Sequence, residues 1–573
     1  MTKAEPAIEL GGGVDTQPLI KAARQEKEGH EAWLAASALP LFDVRGYVDD
    51  FNSSVVRAYG SGRADAELPA DAGVARSVIP PGTAAGRDFS TLAPRIPEFV
   101  RDACVGCMSC VNACPDSAIL ATAQPASTLD EAIGEFAKAA DLPELAASTA
   151  RGHFAHTTKY ADVPARKGNE PALFGLFVDP LHCKGCGECV EVCHGLGYDA
   201  LHMVEKQARE PSGESTLDRF SRDFRLFRAL PPTPTVYRNE KALADLMLGE
   251  HAHGYVGGAG SCSGCGEATA IRMLVAATRQ IHGPESMGIV AATGCNTVFG
   301  STYPYNPYLV PWTNSLFENG PADALGIRAR WDQAGHVERK LWVLGGDGAM
   351  YDIGFQSLSR MVAAGADINV LVLDTQVYSN TGGQASTASF GGQVTKLSAF
   401  GSALHGRPER RKELGQILMA HGEVYVAQTT PAHINHFYRS VMEANTFTGP
   451  AVVIVYAACM PEHGIADDAA TRQAKLAVDS RAFPLFTYDP RRGPAMADRL
   501  SLQGNPAPRD DWAKLAGGTV VDFLTFARSE GRFAGHFGAG DSPTDEIKAT
   551  RDGRLANWRR LQEMAGSRSN EGE

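Results

Sequence analysis

Leu341-Trp342-Val343-Leu344-Gly345-Gly346-Asp347-Gly348 is a short apolar run that ends in a glycine-rich turn. Four consecutive apolar residues bounded by glycine read as a buried strand. The turn then feeds residues 353–364, whose apolar positions recur at helical spacing. The same alternation continues on both sides. Residues 288–293, 368–373, 424–427 and 452–455 read as further buried strands, and residues 267–281 and 431–444 as helices. Continuous apolar strands separated by helices predict a parallel sheet covered on both faces. Residues 256–490 are therefore expected to be α/β, a doubly wound parallel sheet.

Just past the strand at 368–373 comes Asp374-Thr375-Gln376-Val377-Tyr378-Ser379-Asn380-Thr381-Gly382-Gly383. A Gly-Asp-Gly followed by an Asn about thirty residues later is the signature of a thiamine diphosphate site. A diphosphate carries several negative charges and needs a hard cation and backbone N–H groups. Asp347 supplies a carboxylate to Mg²⁺, Thr375 a hydroxyl and Val377 a main-chain carbonyl. Gly348 lets the backbone approach the phosphates at the helix start. A lone Gly-Asp-Gly often marks only a turn. Two linked segments, each at the carboxyl end of a strand, are more specific and fit the usual ligand position in such sheets.

Upstream, Cys104, Cys107, Cys110 and Cys114 form C-x-x-C-x-x-C-x-x-x-C, and Cys183, Cys186, Cys189 and Cys193 repeat it. A 4Fe–4S cubane needs four soft thiolates around one centre. Three come from the tight loop; the fourth cannot reach the same cube and crosses to the other one, as in two-cluster ferredoxins. This assigns Cys104, Cys107, Cys110 and Cys193 to one cluster, and Cys114, Cys183, Cys186 and Cys189 to the other. Pro115 follows the first motif; His194 stands in that place after the second. A zinc site rarely needs eight cysteines in doubled spacing. The expectation for residues 99–205 is an α+β two-cluster ferredoxin-like domain, with an inserted helix over 128–148. The last four cysteines are Cys262 and Cys265 as C-x-x-C, then Cys295 and Cys459 alone. Spacing leaves this set open between a third cluster, a zinc or redox pair, and buried thiols.

The chain has 573 residues, with 66 acidic and 54 basic side chains and a net charge of −12. That argues against nucleic acid as a partner. No stretch approaches the roughly 20 apolar residues of a membrane span. The first residues lack a secretory pattern. A cytoplasmic protein is expected, and in a reducing compartment cysteines favour metal over disulfides. Residues 1–98 read as an N-terminal extension and connector, with a short helix at 28–39. Residues 206–255 read as a linker through Leu230-Pro231-Pro232-Thr233-Pro234. Residues 491–573 read as a helical tail that docks on its own domain or on a partner through Leu555, Trp558, Leu561 and Met564, with Ser542 as N-cap and Pro543 as first helical residue.

Taken together, the chain resembles the C-terminal half of the pyruvate:ferredoxin (flavodoxin) oxidoreductase family, within the 2-oxoacid:ferredoxin oxidoreductases. The resemblance covers roughly residues 80–490 and lies in 261–267, 293–305, 314–319, 345–354 and 373–383, with Cys459 and His463-Gly464-Ile465. It implies that Cys262, Cys265, Cys295 and Cys459 hold a third 4Fe–4S cluster beside the thiamine. It implies cofactor contacts from Glu267, Cys295, Gly346, Asp347, Gly348, Ala349, Thr375, Gln376, Val377, Tyr378, Ser379 and Asn380, with Asn380 catalytic beside the keto acid. The implied reaction oxidises pyruvate with coenzyme A to acetyl-CoA and CO₂, reversibly, and passes electrons to ferredoxin or flavodoxin. Rival readings are another 2-oxo acid such as 2-oxoglutarate, an electron-transfer subunit with a vestigial thiamine site, and a non-oxidative decarboxylase. The family's pyrimidine-binding and substrate-binding domains have no counterpart in these residues, so a partner subunit is expected to carry them.

Overall fold

The computed structural model describes residues 44–68, 79–139, 150–209, 213–239, 241–249, 253–257, 260–402, 404–514, 517–538 and 542–567. The helix expected at 28–39 and the end of the helix expected at 128–148 lie outside them. The chain divides into two units, Met1–Pro80 and Pro81–Glu573. In the first, the described residues are helical, running through Val44–Asp50, Phe51–Val56 and Arg57–Gly60 to a further turn, Ala64–Glu67.

The second unit opens with β1 (Arg95–Phe99), β2 (Ile119–Pro125), β3 (Phe154–Ala155), β4 (Ala172–Val178) and β5 (Leu201–Glu205). β1 pairs antiparallel with β5, and β4 lies between β2 and β3, antiparallel to both. The inserted helix is Ala126–Ala139; it buries Leu129 and Ile133 against Phe154, Phe177 and Leu226. Two short helices, Ser109–Ala113 and Glu188–Gly195, carry Cys110 and the pair Cys189 and Cys193.

The large sheet contains β6 (Met287–Ala292), β7 (Trp312–Ser315), β8 (Lys340–Gly345), β9 (Asn369–Asp374), β10 (Tyr425–Thr429), β11 (Ala451–Tyr456), β12 (Phe486–Tyr488) and β13 (Leu500–Ser501). Their order is β13-β12-β10-β11-β9-β8-β6-β7. The six strands β6 to β11 are parallel. β12 and β13 add an antiparallel edge. The fold is thus the expected α/β sheet, with edges that the apolar pattern does not reveal. β7 is a polar, partly exposed edge strand, and β12 and β13 are too short to show periodicity.

Successive residues of the central strands feed two separate cores, as a pleat requires. Ile289, Leu371, Leu373, Val453 and Val455 face one core; Val290, Val370, Val372, Val452 and Ile454 face the other. The first core also holds Ile271 and Leu274 of the helix Gly266–His282, Phe437 and Val441 of the helix Ile434–Thr446, and Met108, Val111, Phe174 and Leu176 of the ferredoxin-like part. One hydrophobic core therefore spans both parts. The second core takes Leu358 and Met361 from the helix Phe355–Ala363, and Ile547, Trp558 and Leu561 from the tail helix Asp545–Met564.

The tail helix docks on its own sheet, but its start differs from the expectation. Thr544 is the N-cap residue, and no side chain caps the helix. Pro543 instead forms an antiparallel bridge with Phe537, and the Thr544 amide donates to His536 O at 3.0 Å. That pairing holds Ser542 and Pro543 extended and delays the first turn. Trp558 and Leu561 are buried, whereas Leu555 and Met564 are half-buried.

Candidate functional site

Cys104, Cys107, Cys110 and Cys193 wall one small cavity, together with Met108, Phe174 and Tyr198. Cys114, Cys183, Cys186 and Cys189 wall a second, together with Pro97, Ile119 and Val178. Each cavity takes three cysteines from one motif and the fourth from the other. Left-handed residues bend the loops around them: Gly106 and Met108 at φ 69° in the first, Gly185 at 68° and Gly187 at 86° in the second. The Gly106 amide donates to Cys104 Sγ at 3.4 Å. Burial pushes the Cys104 thiol up to about 11 and Cys183 to about 12, and raises Cys110, Cys186 and Cys189 well above the usual thiol range. Neighbouring cysteines add to each rise. Such thiols ionise only when a cationic centre compensates, which is the setting an iron–sulfur cluster provides. Among the described residues, no three His, Cys, Asp or Glu side chains converge as for a single metal ion. The quartets surround a space, as a cubane needs.

The remaining four cysteines come together at the carboxyl edge of the large sheet. Cys265 precedes the helix Gly266–His282, Cys295 opens Cys295–Gly300 just past β6, and Cys459 precedes Met460–His463 just past β11. Cys262 is exposed. Glycine makes the approach possible. A Cβ on Gly266 would stand 2.5 Å from Ala458 N, and the Gly266 amide donates to Ala458 O at 3.1 Å. Gly264 has φ +73°, and a Cβ there would stand 2.0 Å from Asp467 O. The C-x-x-C loop thus lies directly on the chain around Cys459. Burial raises the Cys295 thiol, with further contributions from Glu267, Cys265 and Cys459; Cys459 rises to about 12.

The two loops of the thiamine pattern meet between these cysteines. Asp347 follows β8 and Thr375 follows β9. The Thr375 amide donates to Asp347 Oδ1 at 3.2 Å, the Ser386 hydroxyl to Asp347 Oδ2 at 3.0 Å, and the Thr375 hydroxyl to Val377 O at 2.9 Å. The three groups assigned to Mg²⁺ are thereby held together. Burial, reinforced by Asp374, pushes the Asp347 carboxyl well up. A divalent cation would reverse that rise, so the donor set fits Mg²⁺. Gly346 and Gly348 are partly exposed at the turn and Ala349 is buried. The Tyr378 hydroxyl donates to Asp352 Oδ2 at 2.6 Å, and Asn380 is exposed.

Gln376 is held at φ 58° with its side chain turned into the protein. Its Nε2 donates to Asp374 O at 2.6 Å, and its Oε1 accepts from Arg532 Nη2 at 3.0 Å. Its main chain is engaged as well: the amide donates to Asp374 Oδ1 at 3.2 Å, and the carbonyl accepts from Ser389 Oγ at 2.6 Å and from Gln393 Nε2 at 2.9 Å. Ser379 joins the two halves of the site. Its hydroxyl lies 3.4 Å from Cys295 Sγ and 3.4 Å from Thr375 Oγ1. Glu267 is buried, its Oε2 has no hydrogen-bond partner, and burial pushes its carboxyl up to about 8. Asn296, next to Cys295, is also buried with Oδ1 and Nδ2 unpartnered. Orphaned polar atoms at one edge suit a polar bound group. Asn296 lies within the stretch 293–305 that carries the family resemblance, but no role for it was expected from the sequence.

A buried network braces the loops from behind. Arg411 pairs with Asp374, which also accepts from Tyr351. Arg532 pairs with Glu530 at 2.6 Å; Glu530 accepts from Tyr456 at 2.9 Å and from Gln473 at 2.8 Å. His463 Nε2 lies 2.8 Å from Thr375 O. Since that partner is a carbonyl, Nε2 carries the proton. Burial depresses the His463 imidazole, which stays neutral. Arg411, Glu530 and Arg532 show no sequence signal.

A diphosphate-type loop pair on a parallel sheet, set against cysteine quartets, defines a thiamine and iron–sulfur class of protein. Residues 292–455 match the thiamine pyrophosphate enzyme C-terminal TPP-binding domain family, and residues 96–119 match a 4Fe-4S binding domain family. The chain is 30% identical over 527 residues to a probable pyruvate-flavodoxin oxidoreductase of Escherichia coli (strain K12), covering 80% of this chain and 41% of that one. It is 29% identical over 557 residues to the pyruvate-flavodoxin oxidoreductase of Rhodospirillum rubrum, covering 82% and 42%. A solved 2-oxoglutarate:ferredoxin oxidoreductase from Magnetococcus marinus aligns at 22% identity and TM-score 0.31, over 35% of this chain and 64% of that one. The chain is a homologue of the pyruvate-flavodoxin and pyruvate:ferredoxin oxidoreductases. It spans about two fifths of the length of the curated relatives it matches. Among the described residues, no helix is long and apolar enough to cross a membrane.

Proposed function

We propose that this chain is the cluster-bearing and thiamine-bearing part of a 2-oxoacid:ferredoxin oxidoreductase. It oxidises pyruvate with coenzyme A to acetyl-CoA and CO₂, reversibly, and reduces ferredoxin or flavodoxin. The observation that carries this reading is the position of Ser379, in contact with Cys295 on one side and Thr375 on the other. It sets the diphosphate loop directly against the third cysteine set.

When bound, thiamine diphosphate supplies a nucleophilic carbon and an electron sink for decarboxylation, and 4Fe–4S clusters supply one-electron acceptors. The chain's own residues do the rest. Asp347, Thr375 and Val377 hold Mg²⁺, and the turn Gly346–Ala349 offers its amides to the phosphates. Glu267, Asn296 and Asn380 present polar groups on the side facing the substrate. Cys262, Cys265, Cys295 and Cys459 hold a cluster beside the cofactor. The other two quartets hold the clusters that carry electrons onward. We assign the pyrimidine-binding and substrate-binding domains to a partner subunit. All twelve cysteines are unpaired with one another, which suits a reducing cytoplasm.

The test is turnover by the anaerobically purified complex with coenzyme A and a low-potential dye, using pyruvate and 2-oxoglutarate in parallel. Dye reduction that needs pyruvate, coenzyme A and bound thiamine is expected. Turnover confined to 2-oxoglutarate would reassign the acid, and material with neither thiamine nor activity would overturn the reading.

A further inference from the structure

Between the third cysteine set and the nearer ferredoxin-type quartet lies a closed triangle of side chains. Lys184 sits between Cys183 and Cys186, Asp116 stands two residues past Cys114, and Ser261 adjoins Cys262. Lys184 Nζ lies 2.9 Å from Asp116 Oδ1, and donates to Ser261 O at 2.8 Å and to Ser261 Oγ at 2.6 Å. The Ser261 hydroxyl in turn donates to Asp116 Oδ1 at 3.2 Å. Both charges are buried, with the Lys184 side chain 7% and the Asp116 side chain 4% exposed. The ammonium also lies 5.0 Å from the Phe89 ring centre. Asp116 and Lys184 both line the cavity of Cys114, Cys183, Cys186 and Cys189.

We infer that Asp116 and Lys184 are positioning residues for electron transfer, a fixed ion pair that sets the potentials of the two clusters on either side of it. This rests on the proposed presence of those clusters. Each transfer between them moves one electron: the cluster of Cys262, Cys265, Cys295 and Cys459 is oxidised by one unit and that of Cys114, Cys183, Cys186 and Cys189 reduced by one, with no bond made or broken. A nearby cation favours the more negative, reduced cluster and raises its potential; an anion lowers it, and both effects grow in a dry interior. Lys184 lines the Cys114 cavity but is also bound to the main chain next to Cys262, so its charge reaches the thiamine-side cluster as well. Asp116 is tied to the wall that carries Cys114. The pair therefore makes the thiamine-side cluster a readier acceptor for the first electron, and the next cluster a stronger donor outward.

The test is a redox titration of the anaerobic complex followed by electron paramagnetic resonance, with iron content measured on each sample. The thiamine-side signal is assigned by its change in Cys295→Ser. In Lys184→Met, that signal should move to more negative potential, and Lys184→Arg should restore it. In Asp116→Asn, the neighbouring cluster should move the opposite way, to more positive potential. Unchanged potentials in fully loaded Lys184→Met, or shifts of the same sign in the two neutralising variants, would overturn the inference alone. Should Lys184→Met lose iron, Lys184→Arg and Asp116→Asn still decide it by sign. Absence of the three cluster signals from the unmodified complex would overturn this and the proposed function together.

Discussion

The Thr471 amide donates to Glu188 Oε1 at 2.7 Å, and the neighbouring Ala470 amide to Glu188 Oε2 at 3.1 Å. Glu188 opens the helix that carries Cys189 and Cys193, while Ala470 opens the helix Ala470–Asp479 beside the large sheet. One buried carboxyl thus satisfies two orphan amides of a helix in the neighbouring part. Glu188→Ala should destabilise the chain by about 1–3 kcal/mol. Glu188→Gln, which keeps one acceptor, should cost less. Anaerobic thermal unfolding of the two variants checks the order.

Asp347 is buried beside Asp374; Arg411 draws its carboxyl down, but among the described residues no ion pair forms on it. Asp347→Asn should leave the thiamine-free protein at least as stable as the parent. It should also abolish the rise in unfolding temperature that Mg²⁺ with thiamine diphosphate gives the parent. Scanning calorimetry with and without the two ligands, together with thiamine content, reads both effects. A retained ligand-induced rise would remove Asp347 from the metal set.

Arg532 and Glu530 are almost fully buried, 1% and 0% exposed at their side chains. Removing Arg532 alone strands a carboxylate that burial already pushes up. Arg532→Met should cost about 3–5 kcal/mol, and Arg532→Met with Glu530→Gln less than the sum of the single changes. Because Arg532 holds Gln376, the single variant should also lose thiamine affinity. A double-mutant cycle on unfolding, with thiamine binding measured alongside, separates the two consequences.

His433 and His436 line a groove beside the ferredoxin-like part, and burial pushes each imidazole down from 6.5 to about 4. Lys475 adds to the shift at His433, and His433 and Arg439 add to it at His436. The unfolded chain then binds more protons than the folded one between these values, so stability should fall as pH drops from about 6.5 toward 4. Both rings touch the open groove, so the loss for the pair should be about 1–2 kcal/mol rather than the full value of two buried sites. Unfolding temperature against pH should flatten across that window in His433→Asn with His436→Asn.

The central strands were legible because both faces are covered, which leaves no room for polar alternation in β8, β9 or β11. The grouping of the eight ferredoxin-type cysteines around two cavities was legible from their spacing and from the reach of a short loop. The meeting of Cys262, Cys265, Cys295 and Cys459 was not legible from spacing alone. It depends on the order β11-β9-β8-β6, which places two loops between the ends of β6 and β11. Nor did the sequence mark Arg411, Glu530 or Arg532. Charged residues read as solvated faces until the fold buries them, and their partners lie far away along the chain.

The shared core described above has an evolutionary and practical corollary. Met108, Val111 and Phe174 on the ferredoxin-like side pack in the same hydrophobic interior as Ile271, Phe437 and Val453 on the sheet side. The ferredoxin-like part is therefore no interchangeable cartridge. Grafting a ferredoxin from another lineage would expose one flank of the sheet to water, unless the facing surfaces of both helices were transplanted with it.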